Sequence, residues 1–215
     1  MPARAASFRV GVLVSGEGSN LQALLDGVHG REGVEIVAVG ASRAQARGLE
    51  RARRAGVRAR AFAIADYEDR AARDRALADW LGDQDVDLVV LAGFMELLGA
   101  EFVTRFRGRL INVHPALLPA FPGVRAIERA LEHGVKVTGV TVHFVDEGVD
   151  SGPIILQEAV ELPYSRTVAE IEQGIHEIEH RLLPRAVRLI AEGRVRLDQR
   201  NPRLVLIEER GGGTG

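Results

Sequence analysis

Short apolar runs alternate with amphipathic helical stretches through the first half of the chain, and that rhythm admits few architectures. Phe8–Val14 reads as a strand and Ser15–Ser19 as a turn. Asn20 then caps a helix with Leu21, Leu24, Leu25 and Val28 on one stripe. Val34–Val39 is a second strand. An Arg- and Ala-rich helix over about 45–55 ends at Gly56, and Val57–Ile64 is a third strand. A helix over about 67–81 leads into Val86–Ala92, whose nearly unbroken apolar run suits burial on both faces. A short helix over about 100–106 and a strand over Arg109–Val113 complete the pattern. Repeated β-α-β units predict an α/β fold with a doubly wound, mostly parallel sheet, right-handed crossovers and helices on both faces. The second half departs from this. A helix over about 124–133 precedes strands at Val137–Val145 and Ile154–Val160, which form an antiparallel C-terminal extension. A long helix over about 168–191 follows, with a kink expected at Pro184, and Val195–Leu197 pairs with Leu204–Ile207 in a hairpin.

At 215 residues the chain is long enough to bury a core, and its length favours one domain. Its 28 basic side chains nearly cancel 30 acidic ones, which argues against a nucleic-acid partner. Cysteine is absent and Lys136 is the only lysine. There is then no thiolate nucleophile, disulfide framework, iron–sulfur cluster or zinc ribbon, and little room for Schiff-base chemistry. An enzyme built on this chain must work with His, Asp, Glu, Asn, Ser and backbone groups. Met1–Arg9 lacks the apolar segment of a secretory signal, and the longest apolar runs are strand-sized. A cytoplasmic protein with no membrane span is expected.

Four segments carry polar residues where chemistry can be done. In Ser15-Gly16-Glu17-Gly18-Ser19-Asn20 the glycines let backbone approach an anion, and the helix N-terminus offers N–H groups with a partial positive charge. Leu21 stands where a dinucleotide fingerprint needs a third Gly, the second strand ends without a ribose-binding acid, and no Walker lysine follows. The phosphate of a mononucleotide or sugar phosphate fits better, with a ligand-free tight turn as the plain alternative. In Ile111–Gly123, Asn112 and His114 are two residues apart and share one side of a strand end, at the edge where open α/β sheets bind ligands. A strand-capping role is the alternative there. Asp146–Gly152 is an acidic, Gly-spaced loop without EF-hand spacing, an ordinary turn unless something else places Asp150.

The fourth segment, His176-Glu177-Ile178-Glu179-His180, matches the H-E-x-x-H of zinc proteases and sets both His on one helical face. It reads as a decoy. Glu179 puts a charge inside the segment, Pro184 follows soon after, and the metzincin continuation is missing. The stripe Ile171, Ile175, Ile178 and Leu182 lies on another face, so the helix packs without a metal, and no metal site is expected.

Taken in order, these residues resemble the phosphoribosylglycinamide formyltransferase family of folate-dependent formyltransferases. The likeness runs from about Arg9 to Gly193. It rests on Ser15-Gly16-x-Gly18-Ser19-Asn20-Leu21-Gln22-Ala23-Leu24, Gly48-Leu49-Glu50-Arg51-Ala52 and Leu91-Ala92-Gly93-Phe94-Met95. It continues through Ile111-Asn112-Val113-His114-Pro115-x-Leu117-Leu118-Pro119, Thr138-Gly139-x-Thr141-Val142-His143-Phe144-Val145-Asp146 and Asp150-x-Gly152-Pro153-Ile154-Ile155-Leu156-Gln157. The resemblance implies a formyltransferase-like domain over 8–208, with a phosphate-binding half over about 8–107 and a folate and catalytic half over about 108–208. A disordered arm (1–7) and tail (209–215) flank it.

It also implies roles. The catalytic residues fall on Asn112, His114 and Asp150. The substrate phosphate falls at Gly18, Ser19 and Asn20, with Glu179 contacting the glycinamide. The folate pocket involves Arg70, Met95, Glu96, Leu97, Leu98, Asn112 and the loop Asp146, Glu147, Gly148, Val149 and Asp150. Three departures stand out: Glu17 adds an acid beside the phosphate loop, so its side chain is expected to point away, Gly40-Ala41-Ser42-Arg43 replaces an acidic or Asn-containing turn, and Met95-Glu96-Leu97-Leu98 carries an acid. The implied reaction passes a formyl group from 10-formyltetrahydrofolate, a cosubstrate, to a primary amine. Its partners are small molecules, with no nucleic acid and no membrane, and a homodimer stays open.

Physical chemistry supports those roles. Amine attack creates an oxyanion that His114 and Asn112 can stabilise, while Asp150 favours the imidazolium and helps relay a proton. The rivals are formyltetrahydrofolate hydrolase, expected to carry an N-terminal regulatory domain, and methionyl-tRNA formyltransferase, expected to carry a C-terminal barrel. Few residues precede Phe8 or follow Gly193, so neither addition is expected. A non-catalytic nucleotide-binding module would keep the glycine loop without needing Asn112, His114 and Asp150. Because the Pro-Gly-punctuated loop must turn sharply beside the site, the Leu118–Pro119 bond is expected to be cis.

Overall fold

Apolar residues on alternate sides of each strand need cover on both faces, and the chain supplies helices to each. The computed structural model describes residues 7–163 and 167–209. The expected arm and tail therefore lie, apart from Ser7 and Glu209, outside the described residues. The first half runs β1 (Phe8–Val14), α1 (Ser19–Gly27), β2 (Val34–Ala41), α2 (Arg47–Arg54), β3 (Arg58–Ala61), α3 (Arg70–Gly82) and β4 (Leu88–Leu91). It continues with α4 (Ala100–Arg105), β5 (Leu110–His114), α5 (Ala126–Glu132), β6 (Val137–Phe144) and β7 (Ile154–Glu161). The long α6 (Val168–Ala191) and the hairpin strands β8 (Val195–Leu197) and β9 (Val205–Ile207) close the chain.

Seven strands form one sheet in the order β3-β2-β1-β4-β5-β6-β7, and β8 pairs with β9 separately. The pairs from β3 through β5 are parallel, whereas β6 and β7 are antiparallel. Val10, Val12 and Val14 of β1 face one apolar layer with Leu21 and Leu24 of α1 and Ile175 and Leu182 of α6. Leu13, between them, faces the other layer with Leu77 and Leu81 of α3 and Phe102 and Phe106 at α4. The alternation that defined the strands thus also divides the core. Strand order reverses between β1 and β4, so their following loops open a crevice at the carboxyl edge.

Local details differ from expectation at two points. Asn20 does not cap α1: Gly18 holds the cap position with φ 72°, and Asn20 lies inside the first turn. The third strand stops at Ala61, and Ile64, 44% exposed, begins a single 3-10 turn, because β3 finds a parallel partner only along Ala38–Ala41. α6 runs through Pro184 as one helix. The ring packs where Gly27 of α1 has no side chain; a Cβ there would lie 3.1 Å from the Pro184 Cβ. The Leu118–Pro119 bond is cis. Among the described residues no helix is long and apolar enough to cross a membrane.

The close pairing of β6 with β7 depends on Gly139. A Cβ there would meet the Glu158 carbonyl oxygen at 2.1 Å and Leu117 Cδ2 at 2.7 Å. Gly139→Ala is therefore expected to lower stability by about 3 kcal/mol in urea unfolding. A variant within about 0.5 kcal/mol of wild type would contradict this packing.

Candidate active site

The register of β5 against β6 sets Asn112 opposite His143 and His114 opposite Thr141. Ile111 and Val113 point into the layer covered by α6, so Asn112 and His114 emerge on the other face. There the loop after β6 folds back and delivers Asp150, held in the left-handed region at φ 49°. Asn112 Nδ2 donates to Asp150 Oδ1 at 3.3 Å and lies 3.3 Å from His143 Nε2. His143 Nε2 is also 3.5 Å from Asp150 Oδ1. The other carboxylate oxygen accepts from Gly123 N–H at 2.7 Å and lies 3.3 Å from His114 Nδ1. His114 Nε2 lies 2.9 Å from the Phe121 carbonyl oxygen, so both ring nitrogens face acceptors. His143 Nδ1 is likewise 2.8 Å from the Phe144 carbonyl oxygen, which fixes a proton there.

Burial of Asp150 opposes its ionisation. Hydrogen bonds with His143 and from Gly123 N–H, with the charges of His114 and His143, outweigh it and bring the carboxyl from 3.8 down to about 2. The carboxylate is thus ionised throughout the neutral range and built into the fold.

Two clefts adjoin at this edge. One, of roughly 340 Å³, has apolar walls from Leu91, Phe94, Leu97, Leu98, Val103 and Val145 and ends on Asn112, His143 and Asp150. Arg70, Glu96 and Asp146 to Val149 complete it, so every residue expected for folate except Met95 lines it. The other cleft, of roughly 390 Å³, is lined by Ser15 to Asn20, Arg43, Met95, His176 and Glu179. Met95 thus stands on the wall of this second cleft. Neighbouring residues face opposite clefts at three places: Leu91 and Ala92, Phe94 and Met95, Asn112 and Val113. His114 lines neither cleft, lying behind Asp150.

In the second cleft Gly18 presses against α2, where its Cβ would come within 2.8 Å of Gly48 Cα. Glu17 pairs with Arg47 at 3.1 Å on the exposed side. Glu179 is buried, and its Oε2 accepts from Asn20 Nδ2 at 2.9 Å and contacts His176 Nδ1 at 2.9 Å. The glycine loop and Asn20 suit a phosphate, while Glu179 offers an acceptor deeper in. Ser15 Oγ, on the same wall, accepts from Met95 N–H at 2.8 Å and from Ser42 Oγ at 2.7 Å. Sequence reasoning missed His143, Phe94, Arg43 and His176. His143 stood inside a quoted motif, but only the β5–β6 register reveals its neighbours.

Residues 8–187 match the formyl transferase family model. Over 202 residues the chain is 44% identical to the trifunctional purine biosynthetic protein adenosine-3 of Bos taurus, covering 94% of this chain and 20% of that protein. It therefore spans about a fifth of that relative's length. It is 40% identical to the phosphoribosylglycinamide formyltransferase of Bacillus subtilis (strain 168), covering 82% of this chain and 91% of the relative. The solved glycinamide ribonucleotide transformylase 1 of Symbiobacterium toebii superposes with a TM-score of 0.91 at 50% identity, covering 97% and 98% of the two chains.

The Asp150 network has a measurable signature. A folded-state pKa depressed from 3.8 to about 2 contributes stability that is present above 3.8 and lost as pH falls through about 2. Urea unfolding should find wild type more stable than Asp150→Asn by on the order of 2 kcal/mol near neutrality. That gap should close as pH falls from 3.8 to about 2. A gap that does not change with pH would contradict the ionised network.

Proposed function

The chain belongs to the formyl transferase family, and on that premise we propose that it transfers the formyl group of 10-formyltetrahydrofolate to the amine of 5-phosphoribosylglycinamide. The products are formylglycinamide ribonucleotide and tetrahydrofolate, a step of purine synthesis. One observation carries this reading: a phosphate-suited cleft and an apolar cleft that ends on Asn112 and Asp150 adjoin at the sheet edge, where Asn112 and Val113 line opposite clefts. The working unit is a single domain over 8–208, acting in the cytoplasm on small molecules and needing no metal.

Each cleft fits one substrate. Backbone N–H groups at Gly18, Ser19 and Asn20 take the phosphate, and Glu179 takes the glycinamide end. The apolar walls take the flat ring system of the folate, with Arg70 and the Asp146 to Asp150 loop supplying polar edges. The amine attacks the formyl carbon, and negative charge collects on the formyl oxygen. Asn112 Nδ2, which donates to Asp150 Oδ1, turns to donate to that oxygen. Asp150 takes the proton leaving the amine, and the folate nitrogen is protonated as its bond to the formyl carbon breaks. His114, behind Asp150 and in contact with its Oδ2, holds that carboxylate charged and acts as an acid through Asp150, not by reaching either cleft itself. No covalent enzyme intermediate is needed, consistent with a chain that has no cysteine and one lysine.

The purified chain should release tetrahydrofolate only when glycinamide ribonucleotide is present. His114→Ala and Asp150→Ala should each lower turnover at least about 10²-fold, with both substrates still binding by calorimetry. Near-wild-type turnover in folded variants would overturn the assignment, as would release of tetrahydrofolate with water alone.

A further inference from the structure

We propose that His176 is a substrate-positioning residue of the phosphate-side cleft, a cation that orients Glu179 and offsets its charge so that the cleft admits an anionic sugar phosphate. The inference rests on the reading of that cleft as the ribonucleotide site. It absorbs the H-E-x-x-H pattern, whose first histidine the proposed mechanism leaves unused.

The geometry is specific. α6 sets His176 and Glu179 one turn apart, and the His176 Nδ1 to Glu179 Oε2 distance is 2.9 Å. Asn20, from the opposite wall, donates to the same oxygen at 2.9 Å. Two donors on Oε2 fix the carboxylate and leave Oε1 for a ligand. Glu179 is 4% exposed, whereas the His176 side chain is 52% exposed, and His176 Nε2 has no hydrogen-bond partner among the described residues. A buried carboxylate in a cleft for a phosphate dianion repels its ligand unless a cation lies beside it.

The surrounding charges favour that cation on His176. On α6 the groups beside it are Glu172, Glu179 and the His180 ring, with Glu177 acting on His180. Across the cleft stand Arg43 and Glu17, the latter paired with Arg47. The hydrogen bond to Glu179 raises the His176 pKa against the opposing effect of burial, with the charges of Glu179 and Glu172 adding to the rise. His180, whose ring stacks on His176 with centroids 6.3 Å apart, is pushed the other way, chiefly by burial. Its Nε2 is buried without a partner. The two histidines therefore divide, one toward the cation and one toward the neutral ring, so stacking does not set two charges face to face.

Three proteins test this: wild type, His176→Asn, which removes the charge, and His176→Lys, which keeps a cation. A raised folded pKa means the cation is present at low pH and lost as pH rises through that value, so the wild-type KM for the ribonucleotide should climb with pH. In His176→Asn that KM should be about tenfold higher near neutrality, the scale of one charge-assisted hydrogen bond, and should no longer vary with pH. His176→Lys should restore a low KM and hold it to about pH 9. The folate KM should move less than about twofold in all three. Calorimetric affinity for ribose 5-phosphate should follow the same order and supplies a readout independent of turnover. A ribonucleotide KM and sugar-phosphate affinity unchanged in His176→Asn would overturn the inference, as would a folate KM moving in parallel. Wild type that binds ribose 5-phosphate in this order but fails to formylate the ribonucleotide would instead remove the proposed activity and leave the role of His176 standing.

Discussion

The Asp150 carboxylate is the fixed point of the site. Its two oxygens gather groups from three places: the end of β5, the facing strand β6 and the backbone at Gly123. Each contact draws one segment toward a common point, and the left-handed backbone at Asp150 is sustained by that convergence. A neutral acid could not serve all these donors equally. The ionised state is therefore a structural requirement before it is a chemical one.

The fold prepares the place where this happens. Parallel strands β1, β4 and β5 end at one edge, and their loops leave it open. On the face bearing Asn112 and His114, α4 has only six residues and leaves part of the strand end uncovered. The loop after β6 folds over that gap and brings Asp150 with it, while α6 closes the opposite face with Glu179 and His176. Because neighbouring residues at the strand ends face opposite clefts, two ligands can meet across the sheet edge without crossing a helix.

Much of this was legible in the sequence, for identifiable reasons. Alternation of apolar residues marks both strand position and facing layer, so β1, β2, β4 and α6 were readable within a few residues. Asn112 and His114 were readable because a spacing of two on a strand is also a shared face. Asp150 was not readable that way: its loop became meaningful only through resemblance, since no local spacing says which strand a loop acid will cross. His143 looked like one more strand residue until the register placed it opposite Asn112. The H-E-x-x-H pattern drew attention to the two histidines four apart, while the bonded pair is His176 with Glu179, three apart. Asn20 at the helix start resembled a cap, but its partner lies 159 residues away in sequence on α6.

The central claim is direct formyl transfer across the seam between the clefts. Its most direct test follows an isotope-labelled formyl carbon on the folate by NMR, with the ribonucleotide present and then absent. Direct transfer predicts a single new formamide signal on the ribonucleotide nitrogen, growing as the folate signal decays, and no formate. Labelled formate accumulating with no ribonucleotide-dependent formamide would contradict it.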